Sequence, residues 1–106
     1  MKTMNRELLE LVADRFRALS DPARLRLLNE LRDGERSVTE LVEATALGQA
    51  NVSKHLSFLH QLGYLKRRKE GLFTYYALAD REIFRLCDIM CGRIEAEAAA
   101  RRKALR

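Results

Sequence analysis

A mainly α fold, five helices with one small β-hairpin ahead of the last, is what this sequence predicts, and three observations predict it. Apolar residues recur at spacings of three and four in successive stretches of the chain, the period of an amphipathic helix. Between Tyr64 and Leu78 that period is lost, and the segment is rich in the aromatic residues that strands prefer. Asp21-Pro22, Asp33-Gly34, Gly48, Gly63 and Gly71 separate the stretches with residue types that start or stop elements. The chain has 106 residues, enough to bury one core but not two, so residues 1–106 are expected to form a single domain.

The first helix is expected from Asn5 to Leu19, with Leu8, Leu9, Leu11, Val12, Phe16 and Leu19 as its stripe. Ser20-Asp21-Pro22 restarts the chain, because a capping oxygen takes free amides and Pro22 loses no bond at a first helical position. A second helix from Ala23 to about Arg32 presents Leu25, Leu28 and Leu31, flanked by Leu27, and Gly34 stops it. Thr39 is the expected cap of a short third helix ending near Leu47-Gly48. The fourth runs from Gln49 to Leu62, burying Val52, Leu56, Leu59 and Leu62, and Gly63 ends it. Two helices joined by a few residues near a glycine make a helix-turn-helix, whose second helix is the one expected in a DNA major groove. The hairpin that follows, with Glu70-Gly71 at or near its tip, then reads as a wing, giving a winged helix-turn-helix. Asp80 opens the last helix, to about Arg102, with Ile83, Leu86, Cys87, Met90, Ile94 and Ala98 along a broad apolar side. The first and last helices carry wider apolar faces than one small core can cover, so a homodimer through them is expected.

Lys and Arg total 20 against 15 Asp and Glu, a formal charge of +5, which favours an anionic partner. No stretch is long and apolar enough to span a membrane, and Met1 to Arg6 lacks the apolar run of a secretory signal, so the expected location is the cytoplasm. Two cysteines are too few for a secreted disulfide scaffold. There is no HExxH, no GxSxG and no phosphate-binding glycine loop, and an enzyme is not expected.

On the fourth helix Ala50, Ser53, Lys54 and Ser57 project away from the buried side, with Gln49 and Asn51 in the first turn. Small side chains let a helix sit deep in a groove. Lys54 can meet phosphate or guanine, and Gln49 and Asn51 can pair bidentately with adenine. The plainer reading is a solvated helix face. His55, on the flank, reads as a packed or capping side chain. In the wing, Arg67, Arg68 and Lys69, with Lys66 before them, suit phosphate and minor-groove contact, or else a charged edge that resists aggregation. Cys87 and Cys91 lie one helical turn apart. They read either as small core or interface hydrophobes or as a sensory thiol pair, and the i, i+4 geometry is awkward for a disulfide.

Leu19-Ser20-Asp21-Pro22-Ala23-Arg24-Leu25-Arg26-Leu27-Leu28, Val38-Thr39-Glu40-Leu41 and Gln49-Ala50-Asn51-Val52-Ser53-Lys54-His55-Leu56 together resemble the ArsR/SmtB family of repressors, and the resemblance extends over nearly all of the chain. It implies a homodimer built by the first and last helices, two fourth helices on one duplex operator, and release of DNA by an inducer. By position it assigns DNA reading to Gln49 through Ser57 and the wing. At the sensor positions the chain departs from the family. Where arsenic- and cadmium-sensing members open the third helix with Cys-Val-Cys, this chain has Ser37-Val38-Thr39. Where zinc-sensing members place Asp and His on the last helix, it has Asp80 and no histidine after His60. That leaves Cys87 and Cys91, which in a sensor would suit a soft metal or metalloid ion, or an oxidant. Other classes fit less well. A protein-interaction module would want apolar or acidic anchors on the fourth helix, and a thiol redox enzyme would want CxxC spacing and a proton-transfer partner. A DNA-binding protein that senses nothing through its thiols stays open.

Overall fold

The computed structural model describes residues 3–106; Met1 and Lys2, which open the segment read as lacking a secretory signal, lie outside the described residues. The first helix, α1 (Arg6–Ala18), starts where the side chain of Asn5 accepts a hydrogen bond from the Leu8 amide at 2.9 Å. Asp21 caps α2 (Pro22–Glu30) by accepting from the Ala23 amide at 2.7 Å. This helix stops at Glu30 rather than near Arg32, with the next residues turning toward Gly34. Its buried side is Leu27 and Leu28, with Leu31 just beyond, while Leu25, expected on that side, is 39% exposed.

The third helix, α3 (Val38–Thr45), corrects a cap. Ser37, not Thr39, is the N-cap: its hydroxyl accepts from the Glu40 amide at 3.1 Å, and the Glu40 carboxylate accepts from the Ser37 amide at 2.9 Å. This reciprocal capping box needs Glu three residues after the cap, a spacing that Ser37 meets and Thr39 does not. A two-residue strand that periodicity did not indicate, β1 (Arg36–Ser37), precedes it. The turn between the two motif helices is made by Ala46, left-handed at φ 57°, while Gly48 stands extended as the N-cap of α4 (Gln49–Gln61).

Past Gly63, which takes φ 86° where a side chain would be strained, come β2 (Leu65–Glu70) and β3 (Phe73–Leu78). They pair antiparallel from Leu65 opposite Leu78 to Glu70 opposite Phe73, so the tip is Gly71-Leu72, within the Glu70-Gly71 neighbourhood that the sequence indicated. The other edge of β3 pairs with β1, making a three-stranded sheet in the order β1-β3-β2. The last helix, α5 (Glu82–Ala104), begins after Asp80, whose carboxylate accepts from the Glu82 amide at 2.7 Å. Among the described residues no helix is long and apolar enough to cross a membrane.

One cluster forms the core: Leu27, Leu28, Leu31, Leu41, Val52, Leu56 and Leu59 from α2 to α4, roofed by Leu65 and Tyr76 of the sheet. Helix α1 adds Ala18, and α5 adds Ile83 and Phe84 near its start. Beyond Phe84 no residue of α5 is buried. Leu9, Leu11 and Phe16 of α1 and Leu86, Ile89, Met90 and Ile94 of α5 stay exposed, Ile89 at 72%.

Candidate nucleic-acid interface

Burial of Val52, Leu56 and Leu59 fixes the rotation of α4, and that fixes what faces out. Gln49, Ala50, Asn51, Lys54 and Ser57 are exposed, and Ser53 is half-buried. His55 is half-buried on the flank, its Nδ1 3.3 Å from Arg24 Nη1.

Arg24 is the residue that sequence reasoning missed. Its guanidinium donates to the carbonyls of Ala18 at 2.7 Å and Arg17 at 3.1 Å, and stacks over Phe58 of α4 at 4.8 Å. One side chain thus ties the end of α1, the start of α2 and α4 together. The only hint in the sequence was Asp21 three residues earlier, on the same helix face, 3.8 Å from Arg24. Hydrogen bonds from the Ala23 and Arg24 amides, with the nearby Arg24 charge, hold the Asp21 carboxyl below its ordinary value.

In the wing, alternation along β2 sets Leu65, Arg67 and Lys69 on one face and Lys66, Arg68 and Glu70 on the other. All but Leu65 are exposed. Arg68 is engaged within the protein: it donates to both carboxylate oxygens of Glu35, at 2.8 and 2.7 Å, and to Glu70, and it lies over the Tyr75 ring at 4.4 Å. The two carboxylates hold its guanidinium firmly protonated, and Arg68 in turn holds the Glu35 carboxyl below its ordinary value. Lys54, Lys66, Arg67 and Lys69 take part in none of the ion pairs among the described residues.

Cys87 is half-buried and Cys91 exposed, both in an open apolar groove with Phe16, Leu19, Leu25 and Met90. Burial pushes the Cys87 thiol up, with Cys91 and Asp88 adding to the shift and Arg32 opposing it. Among the described residues no three His, Cys, Asp or Glu side chains converge to hold a metal ion. Ser37 Oγ, at the position of a family thiol, is committed to capping α3.

Residues 21–67 match the family described as "Bacterial regulatory protein, arsR family". The chain is 43% identical over 68 residues to the "Probable mercury resistance operon repressor" of Streptomyces lividans, a match covering 64% of this chain and 54% of that protein. The chain therefore spans about half the length of that curated relative. Among solved structures it is similar to Rv0081 of Mycobacterium tuberculosis, with a TM-score of 0.79 at 30% identity over 92% of this chain and 98% of that one. It is also similar to the homodimeric winged helix-turn-helix DNA-binding domain of a "possible ArsR-family transcriptional regulator" of Mycobacterium bovis. That match has a TM-score of 0.74 at 30% identity over 90% of this chain and 91% of that one.

Proposed function

The chain belongs to the arsR family of bacterial regulatory proteins, and from that premise we propose that it is a homodimeric transcriptional regulator, a repressor that binds a duplex operator and leaves it when an inducer arrives. The observation that carries the reading is an exposed, small and polar face of α4, with Lys54 at its centre, on the same domain as the cationic β2 strand. Gln49, Asn51 and Lys54 read base edges, with Ala50, Ser53 and Ser57 allowing close approach. Arg67 and Lys69 neutralise phosphates, with Lys66. Arg68 acts chiefly by bracing the wing, since a phosphate would have to replace Glu35 and Glu70.

Residues 1–106 act as one domain, dimerising through α1 and α5, whose uncovered apolar residues supply a self-complementary patch. Any inducer response is assigned to Cys87 and Cys91, which lie in that patch. A soft ion finds these two thiols and, among the described residues, no cluster of three His, Cys, Asp or Glu, so one chain does not supply the four donors of a closed tetrahedral zinc-type site.

The reading is tested by titrating the protein with the duplex upstream of its own gene and with random duplex, at several salt concentrations. Lys54→Ala is expected to weaken operator binding strongly while random duplex changes little. Arg67→Ala is expected to weaken both equally and to lower the salt slope by about 1. Parent-like binding by both variants, or no duplex binding by the parent, would overturn it.

A further inference from the structure

We propose that Leu72, at the tip of the wing, is an apolar wedge that enters the DNA minor groove beside the base pairs faced by α4 and selects for an easily opened pyrimidine–purine step. The proposal rests on the DNA-binding reading above and adds a specificity-determining residue to it.

Leu72 is 100% exposed, and Phe73 beside it is 52% exposed. A Gly71-Leu72 turn has nothing to pack against and needs no large apolar side chain; Gly71 alone supplies the left-handed conformation, at φ 60°. Two placements in the fold bear on what the tip meets. Leu72, Phe73 and Thr74 border a notch shared with Gln49 and Ser53 of α4, so tip and recognition helix address one stretch of any bound partner. Exposed Lys69 and Arg67 follow from the tip along the same strand, so an apolar end is backed by cations. An anionic surface with an apolar, stacked interior fits that combination, and duplex DNA is such a surface.

The minor groove is about 6 Å wide, too narrow for a helix but open to one side chain at the end of a two-residue turn. Leucine has no donor or acceptor, so it reads no hydrogen-bond code. It discriminates through the energy of partly unstacking a base step, which is lowest at TA and CA/TG. A wedge also needs a stiff handle. The hairpin is braced by Arg68 between Glu35, Glu70 and Tyr75, which ties β2 to the turn before β1.

The experiment uses duplexes that the parent protein selects from a randomised pool, with 2-aminopurine then placed at each flanking step in turn. The parent is expected to enrich a pyrimidine–purine step outside the α4 contact and to brighten 2-aminopurine there. Leu72→Ala, on a fully exposed residue, should fold with the parent's melting temperature. It should bind about fivefold or more weakly and lose both the step preference and the fluorescence change. Its salt slope and its preference at the α4 bases should stay those of the parent. If Leu72→Ala keeps the parent's affinity, step preference and fluorescence, the wedge is refuted while the DNA-binding reading stands. If instead the variant changes only the oligomeric state in sedimentation, the tip contacts another copy and the wedge is equally refuted. Should the parent select no sequence and bind no duplex, both readings fall together.

Discussion

Arg68 shows how a single side chain can belong to the fold while sitting in a strand that looks made for a ligand. Its fork meets both oxygens of Glu35 across a sequence gap of 33 residues, so the wing is clamped to the chain ahead of β1. Arg68→Ala is therefore expected to loosen the hairpin, seen as faster amide exchange in β2 and β3, and to reduce the salt slope of DNA binding by less than Arg67→Ala does. Equal slopes for the two variants would show Arg68 to be an ordinary phosphate contact. Acid should expose the other partners. Asp21, Glu35 and Glu40 each have a folded-state pKa below the ordinary 3.8 of Asp or 4.5 of Glu, Glu40 chiefly because the Ser37 amide and hydroxyl bind its carboxylate. Their ionised forms thus stabilise the fold fully above those ordinary values, and the contribution disappears as the pH falls through the lower folded-state values. Denaturant unfolding between pH 7 and pH 2 should show stability falling at the acid end, with a shallower fall in Glu40→Gln.

Element by element, the caps and turns decide where helices begin, and two of them offer measurable handles. Ser37→Ala removes the hydroxyl that holds the Glu40 amide and should destabilise the protein by about 1 kcal/mol in urea unfolding. Ala46 makes the motif turn with φ 57°, a conformation that disfavours an L side chain by roughly 1–2 kcal/mol. Ala46→Gly should therefore stabilise the turn, by up to about 1 kcal/mol once the greater backbone entropy of glycine is set against the relief. A lower melting temperature for Ala46→Gly would mean that the strain is not felt. Gly48 beside it is extended and caps α4 without a side-chain bond.

For the whole molecule, the uncovered faces of α1 and α5 matter most. A chain that buries only Ile83 and Phe84 of its longest helix leaves Leu86, Ile89, Met90 and Ile94 uncovered, the face that a second copy would match in the proposed dimer. Sedimentation should give a dimer at micromolar concentration. Ile94→Glu, which places a carboxylate in the patch, should give a folded monomer that no longer binds an operator with two half-sites about 10 bp apart. A monomeric parent would remove the dimer reading. The thiols are tested in the same assembly. Cys87→Ser with Cys91→Ser should fold, bind operator and fail to respond to a soft ion or oxidant that releases the parent. Release identical to the parent's would leave both cysteines as packing residues.

The sequence by itself determined the order of five helices and a hairpin, and the exposed face of α4, because helical period is local and the buried Val52, Leu56 and Leu59 dictate the opposite side. Tertiary structure alone decided the rest. A two-residue β1 carries no periodicity and exists only because β3 offers it an edge. Leu25 leaves the core because Leu27, Leu28 and Leu31 already fill the space against α3 and α4. Arg24 and Arg68 became positioning residues only when folding brought Phe58 and Glu35 to them, for a guanidinium's partners are set by distance in space and not along the chain.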